Sequence, residues 1–380
     1  MDDFDKRPHN GANMHPHKPS HHHNVVSIVR GNSNILQNSV SYNIVECFLT
    51  TSDQARKGVI KHCLSWSKES QAEIDKMVEK VVRLAGGLPV KRGDTVLLKP
   101  NIVQPPHVAM FNSSVASLDM TQAAITDPRV VISVAKMCRD MGAYKVIIAE
   151  RTASSIGNVF YECGYDNALA EINDPMIRVR NLVYERCIPM RSSLNLALES
   201  YAVPSRLGPT DVVISIAPLK THMFAGTTLT LKNFVGLVSG EIYGNFKSAI
   251  PHGSLAEVIC DLYSIVKKST RNVFGIISGI VGGEGVGPLL PAPVPMNMVI
   301  AGHDLVAVDA VGTVVMGFDA TAMGYLNTAE RYNLGSMKNI QVIGAELRDV
   351  QKAFAPVPEQ NRWPGGRVTN WESQIGRSLP

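Results

Sequence analysis

Lys220, His222 and Lys232 fall within thirteen residues, interleaved with the hydroxyls of Thr221, Thr227 and Thr228 and followed by the amide of Asn233. A lysine desolvated by apolar walls or crowded by a second cation gives up its proton more readily, and then serves as a base or a covalent anchor. Histidine transfers protons near neutral pH and also ligates metals. These groups together suit proton abstraction beside a carbonyl, as in isomerisation, elimination or racemisation, with positive charge at hand for the anion that forms. Each residue alone reads as a solvated or internally satisfied side chain. Their concentration in one stretch favours a site, because binding sites gather polar groups on segments set on a rigid scaffold.

Other stretches supply ligand-binding candidates. Lys99-Pro100-Asn101 follows a short β-rich run and offers an ammonium and an amide to an anionic group. Gly283, Glu284 and Gly285 stand within GIVGGEGVGP (residues 279–288), where glycines let the backbone press close to a ligand and one carboxylate can point at it. The run matches G-x-G-x-x-G only loosely and lacks the Lys-Ser/Thr end of a phosphate loop, so no nucleotide is expected. Thr227 and Thr228 are placed to cap a following helix whose free amides would face an anion. His252 precedes a helix and reads equally well as a helix-entry residue or a reactive one. Asp304 reads as a helix cap, whereas Asp309, among Ala307, Val308, Ala310 and Val311, must have a partner if buried. A second arrangement of the same residues is a transition-metal site formed by His222, His252, Glu284 and Asp309.

These residues need a scaffold, and the pattern predicts one. Gln71 to Ala85 has the 3.6-residue period of an amphipathic helix, with Ser70 and Glu73 as its capping box and Gly86-Gly87 as its end. Thr95 to Leu98 is a short strand. Thr126-Asp127-Pro128 supplies a cap and a first-turn proline for a helix reaching Met141, and Lys145 to Ala149 follows as a strand. Val212 to Ile216, Val273 to Ile277, Val299 to Ala301 and Ile340 to Ile343 read as further strands. Helices are expected at Leu255 to Lys267, Leu305 to Met316 and Ala320 to Tyr332. Continuous apolar strands alternating with helices imply an α/β fold with a mostly parallel sheet, helices on both faces, and two lobes around a crevice at the strand ends. Residues 1–23 read as a disordered His-rich tail, 24–354 as the α/β domain with 151–209 as an inserted smaller lobe, and 355–380 as an arm docking by Trp363 and Trp371.

Composition bounds the reading. At 380 residues and 45% hydrophobic content the chain buries a sizeable core, while 37 basic and 33 acidic residues are too evenly balanced for a nucleic-acid or membrane-surface binder. The six cysteines contain no C-x-x-C pair, so neither an iron–sulfur cluster nor a zinc ribbon is expected. No apolar leader opens the chain, and Pro288, Pro291, Pro293 and Pro295 interrupt its least charged stretch, so neither export nor membrane insertion is expected and the cytoplasm is the default. The oligomeric state, a homo-oligomer included, is open.

KPNIV at residues 99–103, TDP at 126–128, PLKTHMFAGTTLTLKNFVGLV at 218–238, GGEGVGP at 282–288 and HDLVAVDAVG at 303–312 together resemble the family called domain of unknown function 362. The resemblance runs from about Lys91 to Gly344. Many members carry an inserted ferredoxin-like segment with cysteine motifs, and some are described as iron–sulfur proteins; this chain has no such insertion. Ser278 stands where the family usually has an aspartate. A more distant likeness, of arrangement without shared motif, is to the nickel-pincer lactate racemase, in which histidines and a lysine hold a nicotinate-derived cofactor. The resemblance names neither reaction nor substrate. The residues lead us to expect an enzyme acting on a small anionic metabolite, carboxylate or phosphate; a metal- or cofactor-dependent redox enzyme and a non-catalytic ligand-binding or accessory protein are the alternatives.

Overall fold

The computed structural model describes residues 24–37, 39–47, 59–103, 118–152, 159–244, 247–376 and 379; the His-rich tail lies outside them. The strands among these residues are β1 (Asn24–Arg30), β2 (Val40–Cys47), β3 (Val59–Trp66), β4 (Thr95–Lys99), β5 (Lys145–Glu150), β6 (Ile177–Asn181), β7 (Cys187–Arg191), β8 (Ser200–Pro204), β9 (Val212–His222), β10 (Gly226–Thr228), β11 (Asn272–Glu284), β12 (Ala292–Gly302) and β13 (Ile340–Gly344). One large sheet takes the order β13-β1-β12-β11-β9-β4-β5-β6, with β10 added to the end of β9. Along that order only β12 runs against its neighbours. The fold is therefore α/β with a mostly parallel sheet.

Alternation along each strand sends its side chains to two separate apolar layers. Val212, Ile214 and Ile216 of β9 pack with the helices Lys68–Leu84 and Pro128–Asp140, while Val213 faces the layer built on the helices Leu255–Ser269 and Leu305–Val315. Both faces are covered, which is what continuous apolar strands require.

The helix Pro128–Asp140 starts as its sequence predicts, with the Asp127 carboxylate accepting from the Arg129 amide and Pro128 in the first turn. The preceding long helix begins earlier than its periodicity suggests, at Lys68, and its cap is Ser67, whose hydroxyl accepts from the Ser70 amide at 3.1 Å. Glu73 is drawn instead to the Asn32 amide at 2.8 Å, so no capping box forms. Within 151–209, β6 continues the large sheet as its edge, and β7 and β8 form a separate hairpin. No helix among the described residues is long and apolar enough to cross a membrane.

Two departures bear on chemistry. β9 does not stop before Pro218 but runs through it to His222. Pro218 stands where the ladder to β11 breaks register, between Ser278 and Gly283, so its missing N–H interrupts little. Thr227 and Thr228 do not cap a helix; they form β10, antiparallel to β9, and a short 3-10 turn, Lys232–Leu237, follows.

Chain order places the crevice. β4, β5 and β6 succeed one another toward one edge, whereas β9 lies on the other side of β4. The strand order thus reverses between β4 and β9, and in open parallel sheets ligands bind outside the carboxyl ends at such a point.

Candidate functional site

A cavity of about 620 Å³ opens at that reversal. Its walls include Asn101 from the end of β4, Glu150 and Arg151 from the end of β5, Lys220 and His222 from β9, and Lys232, Lys247, His252 and Trp363 from later segments. Lys220 and His222 are two residues apart on a strand and so face the same side, with Thr221 turned away toward the Gly285 carbonyl at 3.0 Å. The β9–β10 register sets Thr228 opposite Lys220, which puts Thr228 in the cavity wall as well. Thr227 points the other way and shares a 2.9 Å hydrogen bond with the Tyr325 hydroxyl.

Behind the wall, the fully buried Lys99 ammonium is paired with Glu150 and donates to the Pro100 carbonyl at 2.7 Å and to Asn233 Oδ1 at 3.2 Å. Burial pulls Lys99 below the usual lysine range, and Glu150 opposes that pull. Asn233 fastens the arrangement by donating to the Lys99 carbonyl at 2.7 Å and the Ser215 hydroxyl at 3.1 Å.

Lys220 is also fully buried, and its ammonium donates to the carbonyls of Ala124 and Pro288. Lys232 and Lys247 are half-buried, and their ammoniums have no hydrogen-bond or ion-pair partner among the described residues. All three lysines are brought down to about 7, first by burial; neighbouring cations add to the effect, Lys247 on Lys220, Lys220 and Lys99 on Lys232, and Lys232 on Lys247. Near neutral pH each is a mixture of ammonium and amine.

The histidines hold opposite tautomers. His222 Nδ1 accepts from the amides of Phe224 (3.1 Å) and Ala225 (3.3 Å), so the neutral ring carries its hydrogen on Nε2. Burial and the nearby cations Lys232, Lys220 and Lys247 hold it neutral, well below the usual histidine range. His252 Nδ1 lies 2.9 Å from the Ile250 carbonyl, which can only accept, so Nδ1 donates and the neutral form of the ring has its lone pair on Nε2. Phe224 stands between the two rings, with ring centroids 5.7 Å from His222 and 5.0 Å from His252.

The sequence pointed to Lys220, His222, Lys232, Asn101, Thr228 and His252, and the structure brings these to one cavity; Lys99 and Asn233 form the layer behind it. Glu284 lies elsewhere: its carboxylate accepts from the Ala355 amide at 2.7 Å and ties down the C-terminal arm. Gly283 lies near the end of β11, opposite Lys220 of β9, and Gly285 follows just beyond the strand. A Cβ on Gly283 would lie 2.8 Å from the Ala123 carbonyl oxygen, and Gly285 accepts from Thr221. Asp309 is buried in the apolar layer and accepts from the amides of Thr230 (2.8 Å) and Leu231 (3.0 Å). Burial pushes it up to about 7 against those hydrogen bonds.

The metal set therefore does not assemble. Glu284 and Asp309 are spent on backbone amides outside the cavity, and His222 Nε2 carries a proton where a metal would need a lone pair. Among the described residues no three His, Cys, Asp or Glu side chains stand together so as to hold a metal ion. Glu150, Arg151, Lys247 and Trp363 are the cavity residues that sequence reasoning missed; each is remote from the Lys220 cluster in the chain.

Comparison with known proteins shows what the chain is similar to. The chain is 25% identical over 247 residues to a thylakoid-associated protein of Synechocystis sp., the alignment covering 64% of this chain and 70% of that protein. A crystal structure of a protein from Thermotoga maritima superposes with a TM-score of 0.36 at 13% identity, over 62% of this chain and 56% of that one, little more than half its length. Residues 96–314, more than half of the chain, match the family described as domain of unknown function (DUF362), and the chain belongs to that family.

Proposed function

We propose that this protein is an enzyme that binds a small anionic metabolite in the cavity and moves a proton on it, in an isomerisation, elimination or racemisation. The observation that carries the reading is the convergence of Arg151, Lys220, Lys232 and Lys247 on a cavity whose one lining carboxylate among the described residues, Glu150, is already engaged by Lys99. Such a pocket attracts an anion, and lysines at about 7 are matched to proton transfer at neutral pH.

The hydrogen bonds divide the roles. Lys220, tied to two carbonyls, stays in place as an ammonium donor. Lys232, without a partner, is the amine that accepts a proton from carbon, and the His252 Nε2 lone pair is a second acceptor. Negative charge developing on the substrate oxygen meets His222 Nε2–H and Lys220, both fixed before reaction and needing no rearrangement. His222 is thus an oxyanion donor rather than a base.

Native mass spectrometry of the purified protein identifies any bound acid, and incubation of that acid with the protein in deuterium oxide reads out proton abstraction. Deuterium should enter the carbon beside the acid or carbonyl group, and Lys232→Met should slow entry by about a hundredfold or more, in the range lost with a general base. Recovery of the acid without deuterium would leave a binding protein. Full turnover in folded Lys220→Ala and His222→Ala variants would also overturn the reading.

A further inference from the structure

We infer that Arg151 is the recognition fork of this cavity, and that its ligand presents a two-oxygen anion to the guanidinium and a hydroxyl or amine hydrogen to the side-chain oxygen of Asn101. The inference rests on the anionic-ligand reading above and specifies what the anion must look like.

Arg151 is 2% exposed, yet among the described residues Nε and Nη1 have no acceptor, and Nη2 reaches only the Gly244 carbonyl at 3.4 Å. The adjacent carboxylate does not serve the guanidinium. Glu150 Oε2 takes the Lys99 ammonium and the Ile102 amide, while Oε1 accepts from the Arg151 backbone N–H at 2.6 Å. A buried donor left without an acceptor costs about 1–3 kcal/mol, more for a charged group. An oxyanion offering two oxygens to one edge of the planar group, Nη2 together with Nε or Nη1, recovers part of that cost, in the geometry guanidinium favours over ammonium. Space has been kept for the group: a Cβ on Gly240 would lie 1.4 Å from Nη2.

The second contact follows from the fixed orientation of Asn233. Its nitrogen donates to the Lys99 carbonyl and Ser215 hydroxyl, and its oxygen accepts from the Lys99 ammonium. That oxygen can therefore only accept from Asn101 Nδ2, at 3.3 Å, which turns Asn101 Oδ1 away as an acceptor. Asn101 Oδ1 is buried and has no donor. Asn101 and Arg151 both line the cavity, and one carboxylate holds their segments together: Glu150 Oε2 accepts from the Ile102 amide at 3.3 Å and Oε1 from the Arg151 amide at 2.6 Å. The hydrogen-donating group and the anion are accordingly close neighbours in the ligand.

Titration calorimetry of the full chain with succinate, malate and inorganic phosphate tests this, malate being succinate with one hydroxyl added. Malate should bind about tenfold more tightly than succinate, and Asn101→Ala should close the gap, as loss of one buried hydrogen bond predicts. Arg151→Lys, which keeps the charge but not the fork, should weaken every anion that binds by about tenfold or more. Gly240→Ala should do the same by displacing the guanidinium, and it decides the matter should Arg151→Lys fail to fold. Phosphate binding more tightly than succinate identifies the recognised anion as a phosphate, and the reverse order as a carboxylate. Equal malate and succinate affinities, or a folded Gly240→Ala with unchanged affinity, overturn the inference while leaving the anionic reading intact. Failure of every probe to bind the unmodified chain overturns both.

Discussion

The Lys99 ammonium and the Glu150 carboxylate form an ion pair from which water is excluded, their side chains 0% and 3% exposed. The pair joins the ends of β4 and β5, and Gly236 packs so close that a Cβ there would lie 2.6 Å from Lys99 Nζ and 2.9 Å from Glu150 Oε1. With the Glu150 carboxylate neutralised by Lys99 from behind, the cavity that Glu150 lines keeps an excess of positive charge from Arg151, Lys220, Lys232 and Lys247.

Removing one partner strands the other in a dry site. Glu150→Gln should therefore destabilise the protein by about 3–5 kcal/mol, whereas the double variant Lys99→Met with Glu150→Gln should lose less than Glu150→Gln alone. Denaturant unfolding of the two single variants and the double completes the cycle. Additive losses would show that the pair contributes no coupling.

The lysines at about 7 give stability a definite slope with pH. Below pH 7 Lys220, Lys232 and Lys247 are protonated in the folded and unfolded chains alike, so the cost of holding their charge is fully present. An unfolded lysine keeps its proton to about pH 10.4. Between about 7 and 10 the unfolded chain thus binds more protons than the folded one, and folding stability contributed by these groups rises with pH. Melting temperatures from pH 6.5 to 9.5 should climb more in the unmodified chain than in a variant with all three lysines replaced by Met. Added phosphate should oppose the climb, because the cavity holds an anion more tightly when its lysines are ammonium than when they are amines. Parallel profiles in the two proteins would contradict the assignment.

The opposite tautomers of His222 and His252 have a spectroscopic signature. Long-range proton–nitrogen correlation spectra between pH 6 and 8 should show the His222 ring neutral throughout, protonated on Nε2, with resonances that do not move. His252 should show its neutral form protonated on Nδ1. A His222 ring that titrates within this range would remove its role as a fixed oxyanion donor.

What the sequence could reveal follows from how local each signal is. Asp127 and Pro128 sit beside the amides they serve, so that helix start was legible. Lys220, His222 and Lys232 are close in the chain and were legible as a cluster, but the continuation of the strand past Ile216 through Lys220 and His222 was not, because a proline in a strand interior ordinarily argues against one. Pro218 is tolerated only because the neighbouring ladder is irregular there, a fact of tertiary pairing. Glu150 and Arg151 close a plain apolar strand and carry no mark of function until β5 is laid beside β4. Asp309 and Glu284 drew attention as carboxylates in apolar or glycine-rich surroundings, the same signal a catalytic acid gives. Their acceptors' work is instead to satisfy backbone amides at Thr230, Leu231 and Ala355.

Trp363 connects the C-terminal arm to the cavity and supplies a reporter. Its backbone amide donates to the Met223 carbonyl at 3.1 Å, and its ring packs on Phe224 with centroids 5.6 Å apart, yet the residue is 50% exposed. A ligand that fills the cavity against Phe224 takes water from the inner face of the indole. Malate addition should therefore shift the tryptophan emission to shorter wavelength, and Trp363→Phe should abolish the shift although Trp66 and Trp371 are retained. Because half of the ring already faces solvent, Trp363→Ala should cost the fold only about 1 kcal/mol while weakening malate binding more than that. A shift that persists in Trp363→Phe would place the ligand away from the arm, and an unaltered affinity in Trp363→Ala would mean that the arm seals the fold and not the site.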